Sequence, residues 1–377
     1  MESQIQKLEE LLVGVASVRQ TDKGYRFSRL PDWVQDRIIG DPILPMIAAN
    51  GSGVRLRFVT RATKIRLKML LTELRIGQKP RQPVEATAVV DGTVTKFSFD
   101  EVANSINIVI PDATRFSNDE SVVELSLNED TQHLVEIWLP QNCTAIITEL
   151  EANADLAAAP SSKPKWVHYG SSISHGSEAD GPMNVWPVLA ASKLDLDIYN
   201  LGLAGQAHLD NFAARTVAEL NPDFVSLKVG INSINANSTS ARTYPHALHA
   251  FLDEIRDRHP EVPILVSTAI FCPPHEEGFG PTVMDPVLGK ATASPKPGGM
   301  MAANLNLAIA RDLTEKVVTM RRATDSNLYL MSGLDLFSAD DAHDLPDDLH
   351  PNAAGHLRMA ERFANHDQVA QWLGRVS

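Results

Sequence analysis

Ser172 follows a strand-like run that breaks at once into a tight turn, Tyr169-Gly170-Ser171-Ser172-Ile173-Ser174-His175-Gly176. A serine on a strand-to-helix turn presents its hydroxyl at the edge of a sheet, beside backbone N–H groups able to stabilise an oxyanion. Far along the chain, Leu345-Pro346-Asp347-Asp348-Leu349-His350-Pro351-Asn352 keeps Asp347 and His350 in one loop. Pro351 suits the first position of the following helix, where its missing N–H costs nothing. A carboxylate that holds one imidazole nitrogen fixes the tautomer and frees the other nitrogen as a base. The three side chains have the types of a nucleophile, a base and an orienting acid. Each segment alone also has a plainer reading: a polar turn with a helix cap around Ser172, and a capping loop with solvated acids around Asp347.

Two further segments offer hydrogen-bond donors. Asn200-Leu201-Gly202-Leu203-Ala204-Gly205-Gln206 holds two glycines that permit close backbone approach, and the Gly205 N–H could donate to a ligand. The same glycines would equally serve a turn that needs positive φ. In Gly230-Ile231-Asn232-Ser233-Ile234-Asn235, Asn232 either donates to a substrate or turns the chain. Asn235 either extends a polar rim or starts a helix, and His175 reads as a packing or capping residue. A metal reading competes at the last loop, where His343, Asp344, Asp347, Asp348 and His350 crowd together. Their spacing matches no standard site.

The elements that must position these residues change character along the chain. Ile5, Leu8, Leu11 and Leu12 sit at helical spacing. From Gly53 the period becomes two: Val54, Leu56 and Phe58 alternate with Arg55 and Arg57, and Ile65, Leu67 and Met69 with Arg66 and Lys68. Half-buried antiparallel strands require that alternation, and the outward Arg55, Arg57, Arg66 and Lys68 read as a solvated sheet face. Runs at 84–90, 93–99, 105–110, 121–127, 133–139 and 143–150 follow, with Asp91-Gly92 as a type I′ hairpin turn. About eight short strands predict a sandwich or jelly roll over residues 1–160. After the small-residue linker 157–162 the pattern alternates strand and helix through residues 161–377, which predicts an open α/β domain with its ligand beyond the carboxyl ends of the strands. All four chemical segments fall at such ends. His275, just past the fourth strand, is a candidate substrate contact, and the irregular stretch 273–299 leaves the sheet at that edge as a lid candidate.

In order and spacing, the four segments make the C-terminal half resemble the SGNH hydrolases, also known as GDSL esterases and lipases. The resemblance implies a flavodoxin-like three-layer α/β/α domain. It makes Ser172 of Gly170-Ser171-Ser172-Ile173 the nucleophile, and Asp347 and His350 the acid and base. It gives Gly205 and Asn232, with the Ser172 N–H, the oxyanion hole. Ser171 and Ser233 stand where the family's motifs carry aspartate, at positions with no part in that scheme. Arg29-Leu30-Pro31-Asp32-Trp33, Val135-Glu136-Ile137-Trp138-Leu139-Pro140 and Phe271-Cys272-Pro273-Pro274-His275-Glu276 extend the likeness to a subgroup with an N-terminal β-sandwich. That subgroup includes acyltransferases that tailor natural products.

The resemblance implies cleavage of carboxylic esters through an acyl-enzyme, with no metal or organic cofactor and a small-molecule ester, such as an acylated sugar or natural product, as partner. Transfer of the acyl group to a sugar or polyketide hydroxyl is the alternative. A carbohydrate-binding protein with a dead hydrolase domain is a third, opposed by the intact Ser172, Asp347 and His350. The formal charge of −13 over 377 residues argues against nucleic acid as partner. No run approaches the roughly 18–20 apolar residues of a membrane span. Residues 1–10 do not read as a secretory signal, and Cys143 and Cys272 fall in different predicted domains, so a cytoplasmic location is the expectation. Oligomeric state is not legible.

Overall fold

The computed structural model describes residues 1–128, 131–285, 287–294 and 304–374. The chain forms two compact units: Met1–Ser162 with Asp180–Met183, and Lys163–Ala179 with the chain from Asn184 onward.

The first unit is a β-sandwich. One sheet is built around the long antiparallel pair Lys64–Arg75 and Cys143–Ala152, the other around Arg55–Thr60, His133–Trp138 and Glu85–Val90. Alternate side chains of both sheets meet in one apolar core that includes Leu56, Phe58, Leu67, Met69, Ile137 and Ile147. Ser121–Ser126 shows the alternation most cleanly, with every second residue buried. Asp91 and Gly92 both adopt positive φ, as the turn between Glu85–Val90 and Thr93–Ser98 requires. Two expectations need correcting. Leu156–Ala158 pairs with Phe58–Thr60, so the supposed linker begins inside an edge strand whose small side chains hid it. Arg55 is buried rather than solvated, with its guanidinium 4.6 Å from the centre of the Trp138 ring. Arg66 and Lys68 do lie on the outer face, paired with Glu124 and Glu149.

The second unit runs β1 (Lys165–Gly170), α1 (Ser172–His175), α2 (Trp186–Leu194), β2 (Asp197–Gly202), α3 (Asn211–Glu219), β3 (Phe224–Lys228), α4 (Ile231–Asn235), α5 (Tyr244–Arg258) and β4 (Ile264–Ser267). It ends with α6 (Leu307–Arg322), β5 (Leu328–Met331), α7 (Ala353–Ala364) and α8 (Asp367–Trp372). The five strands are parallel in the order β2-β1-β3-β4-β5, the doubly wound arrangement of flavodoxin-like folds. Strands buried on both faces explain the near-continuous apolar runs in the sequence. On one face Trp166 of β1 packs against Trp186 of α2, Phe363 of α7 and Trp372 of α8. On the other, Tyr169 meets Phe251 of α5. The result is a three-layer α/β/α domain.

The stretch after β4 is more ordered than its sequence suggested. A 3₁₀ turn at Pro273–His275 leads into a hairpin of Phe279–Met284 with Ala291–Ser294. The remainder of the lid candidate, 295–299, lies outside the described residues. Helix α6 starts at Leu307, capped by the Asn306 side chain, which accepts the Ile309 N–H at 2.9 Å. Among the described residues no helix is long and apolar enough to cross a membrane.

Candidate active site

Strand β1 ends at Gly170, and the chain turns into α1 with Ser172 as its first residue. The turn is held from several sides. Asn200 Nδ2 donates to the Ser174 carbonyl at 2.8 Å, and the His175 ring nitrogen Nδ1 lies 2.8 Å from the Gly202 carbonyl. A Cβ on Gly202 would come within 2.3 Å of the His175 nitrogen, so glycine at the end of β2 lets the nucleophile turn sit down on that strand. Below it, buried His168 joins Ser174 Oγ (2.8 Å) to Ser226 Oγ (2.7 Å). Burial, assisted by the charge of Lys228, holds the His168 ring well below the usual histidine range, so it serves here as a neutral brace. Lys228 is itself buried at the end of β3, and burial lowers its ammonium to about 7.

The loop that follows a short helix at Gly333–Leu336 and a 3₁₀ helix at Ala339–Asp344, just before α7, brings the other two side chains to Ser172. His350 Nε2 lies 2.8 Å from Ser172 Oγ, and His350 Nδ1 lies 2.7 Å from Asp347 Oδ2. The second oxygen, Asp347 Oδ1, accepts the backbone N–H groups of Leu349 (3.1 Å) and His350 (2.7 Å). The carboxylate thus fixes both the ring and the backbone that carries it. The hairpin braces this loop: the Ala291 N–H donates to the Asp347 carbonyl at 3.1 Å, and Lys290 pairs with Asp348 at 2.8 Å.

Of the donors expected for an oxyanion hole, the Asn232 side chain is the best defined. Asn232, buried at the start of α4, accepts the Ala207 N–H on Oδ1 at 3.1 Å, and its Nδ2 has no partner among the described residues. Buried amide donors are nearly always paired, so this Nδ2 keeps its capacity to donate. Gly205 lies on the loop that Ala207 ties to Asn232, at φ +71° with open space around its Cα.

His275 and Asn235 do not join this group. His275 is fully buried at the root of the hairpin, with Nε2 2.7 Å from Thr282 Oγ1, and Thr282 in turn donates to Asn235 Oδ1 at 2.7 Å. Both act as internal struts between α4 and the hairpin, which corrects the expectation that His275 faces substrate. The acidic cluster divides among different partners: Asp344 pairs with Arg358 and lies 3.7 Å from the exposed His343 ring, and Asp348 pairs with Lys290. The residue that sequence reasoning missed is Glu178. Its carboxylate and the ligating atoms of Asp347 and His350 all lie within 4.8 Å of one another. Its only sequence signal is its place in the nucleophile loop, two residues after Gly176.

The profile of the GDSL-like Lipase/Acylhydrolase family matches residues 168–358, just over half of the chain. No curated protein matches the sequence. Among solved structures, the salicylyl-acyltransferase SsfX3 from a tetracycline biosynthetic pathway is similar at 26% identity and a TM-score of 0.75, with 97% of this chain and 95% of that one covered. A family two carbohydrate esterase from Clostridium thermocellum shares the fold at 16% identity and a TM-score of 0.59, over 97% of this chain and 100% of that one. Another from Cellvibrio japonicus does so at 13% identity and 0.58, over 97% of each chain. These relatives have the same extent as the chain, sandwich included. The protein belongs to the GDSL-like lipase/acylhydrolase family, the SGNH enzymes of ester chemistry.

Proposed function

We propose that the protein cleaves carboxylic esters through an acyl-enzyme formed on Ser172. The observation that carries this reading is the unbroken line from Ser172 Oγ through both nitrogens of His350 to Asp347 Oδ2, at 2.8 and 2.7 Å. His350 takes the Ser172 proton as Oγ attacks the ester carbonyl, and Asp347 stabilises the imidazolium that forms. The negative charge on the tetrahedral intermediate is met by the N–H groups of Ser172 and Gly205 and by Asn232 Nδ2. Collapse expels the alcohol, which takes the proton from His350. Water then repeats the sequence on the acyl-enzyme and frees the acid. Nucleophile, base and donors all come from this chain, so the scheme calls on no cofactor. A screen of p-nitrophenyl esters and acetylated sugars tests the reading: the wild type turns over short activated esters and Ser172→Ala does not. Equal rates for the two proteins would refute it.

A second reading, O-acyl transfer to a sugar or polyketide hydroxyl, is favoured by the 26% identity to a salicylyl-acyltransferase over almost the whole chain. It uses the same acyl-enzyme with an alcohol in place of water. Partitioning decides between them. Diversion of most of the acyl group into a new ester by an added acceptor alcohol establishes transfer, and an unchanged yield of free acid across an acceptor panel establishes hydrolysis.

A further inference from the structure

The nucleophile loop carries a second acid to the base. We propose that Glu178 is a positioning residue for His350, a carboxylate that shares with Asp347 the task of stabilising the imidazolium. The inference rests on the reading of His350 as the base of Ser172.

Three observations carry it. The first is proximity: a carboxylate oxygen of Glu178, one of Asp347 and a ring nitrogen of His350 lie within 4.8 Å of one another. An opposite charge at that range favours the charged form of an imidazole, and the site is partly closed to water, so screening is incomplete. The second is anchorage. Glu178 sits on the turn that leaves α1, where the N–H groups of Gly176 and Ser177 both donate to the carbonyl of Ser172 itself at 3.0 Å. The Ser177 carbonyl is in turn met by the ring of buried His356 at 3.1 Å. The acid is therefore fixed to the backbone of the nucleophile that the base must serve. The third is conformation. Glu178 holds φ at +66°, a region a non-glycine residue enters at a cost, and the surrounding bonds sustain it.

Asp347 bonds the ring directly at 2.7 Å, whereas Glu178 is half-buried and acts on the ring at longer range. The two acids are unequal and overlapping. Asp347 supplies the larger part of the charge stabilisation in the native site, and Glu178 carries more of it when Asp347 is neutralised.

The test is a double-mutant cycle on a short p-nitrophenyl ester, with full-length Glu178→Gln, Asp347→Asn, the double variant and Ser172→Ala as a reference. Glu178→Gln should lower kcat about threefold in the wild type, and about tenfold or more in the Asp347→Asn background, with KM little changed in both. Glu178→Asp should restore part of the loss, which a purely structural turn residue would not show. An equal factor in both backgrounds, or an effect on KM alone, overturns the proposal. Turnover that survives in Ser172→Ala refutes the base reading itself, so the two failures are distinguishable.

Discussion

Asn232 accepts the Ala207 N–H through Oδ1 at 3.1 Å, and that single bond decides which half of the amide is left to donate. With Oδ1 engaged, Nδ2 is the group left without a partner among the described residues. Replacing Asn232 with Ala should lower kcat by about 10²–10³, the usual loss for one oxyanion donor, and leave KM within about threefold. Asn232→Asp should be at least as damaging, since it sets a negative charge where the oxyanion forms. Steady-state kinetics on a short ester check both. A rise in KM with unchanged kcat would mean that Asn232 binds the ground state only.

Gly202 and Gly205 should respond differently to the same change. A Cβ on Gly202 would meet the His175 nitrogen at 2.3 Å, so Gly202→Ala must displace α1. It should cost about 1–3 kcal/mol of stability and most of the turnover. Gly205→Ala meets nothing within 4 Å and bears only the strain of φ +71°, about 1 kcal/mol. Thermal melts beside kcat test the contrast, and equal effects at the two sites would contradict it.

Lys228 gives stability a dependence on pH. Burial lowers its ammonium from the ordinary 10.5 to about 7. Between those values the unfolded chain holds a proton that the folded chain lacks, so this group makes stability rise with pH across that window. Its slope is at most about 1.4 kcal/mol per pH unit. Lys228→Met removes the term, so the variant's advantage over the wild type should be largest near pH 7 and shrink towards pH 9.5. Urea titrations of both proteins across that range measure it. A constant difference would show that Lys228 titrates normally.

Turnover should survive exhaustive dialysis against a chelator, because the proposed scheme draws every reacting group from the chain. Added zinc should inhibit, since Glu178, Asp347 and His350 present ligating atoms within 4.8 Å of one another and a cation there would occupy the base. Loss of activity on chelation that zinc or manganese restores would contradict the scheme and make that trio a working metal site.

Much of this architecture is legible in the sequence for a physical reason. A strand with one wet face must alternate, as Ser121–Ser126 does, and a strand buried on both faces is mostly apolar, as in β4. The strand ends then narrow the search to segments that include Ser172, Asn232 and His350, whose roles the resemblance to a family, and not any one segment, implied. Other elements leave no such trace. Ser17–Thr21 and Gly24–Ser28 lie towards an edge of their sheet and alternate poorly. The hairpin of Phe279–Met284 and Ala291–Ser294 shifts register between Phe279 and Val283 and carries Gly280 and Pro281. The surroundings of His168, Lys228 and Glu178 depend on burial and on neighbours distant in sequence, which no local pattern encodes. His275 shows the converse: a polar residue at a strand end drew a functional reading, yet it is an internal strut.

The central claim is that Ser172 is the activated nucleophile. Its most direct test is to treat the full-length protein with a fluorophosphonate, digest it and locate the adduct by mass spectrometry. The account predicts one adduct per chain, on Ser172, lost in Ser172→Ala and slowed in His350→Ala. An adduct on Ser171 or Ser174, or undiminished labelling of Ser172→Ala, would contradict it.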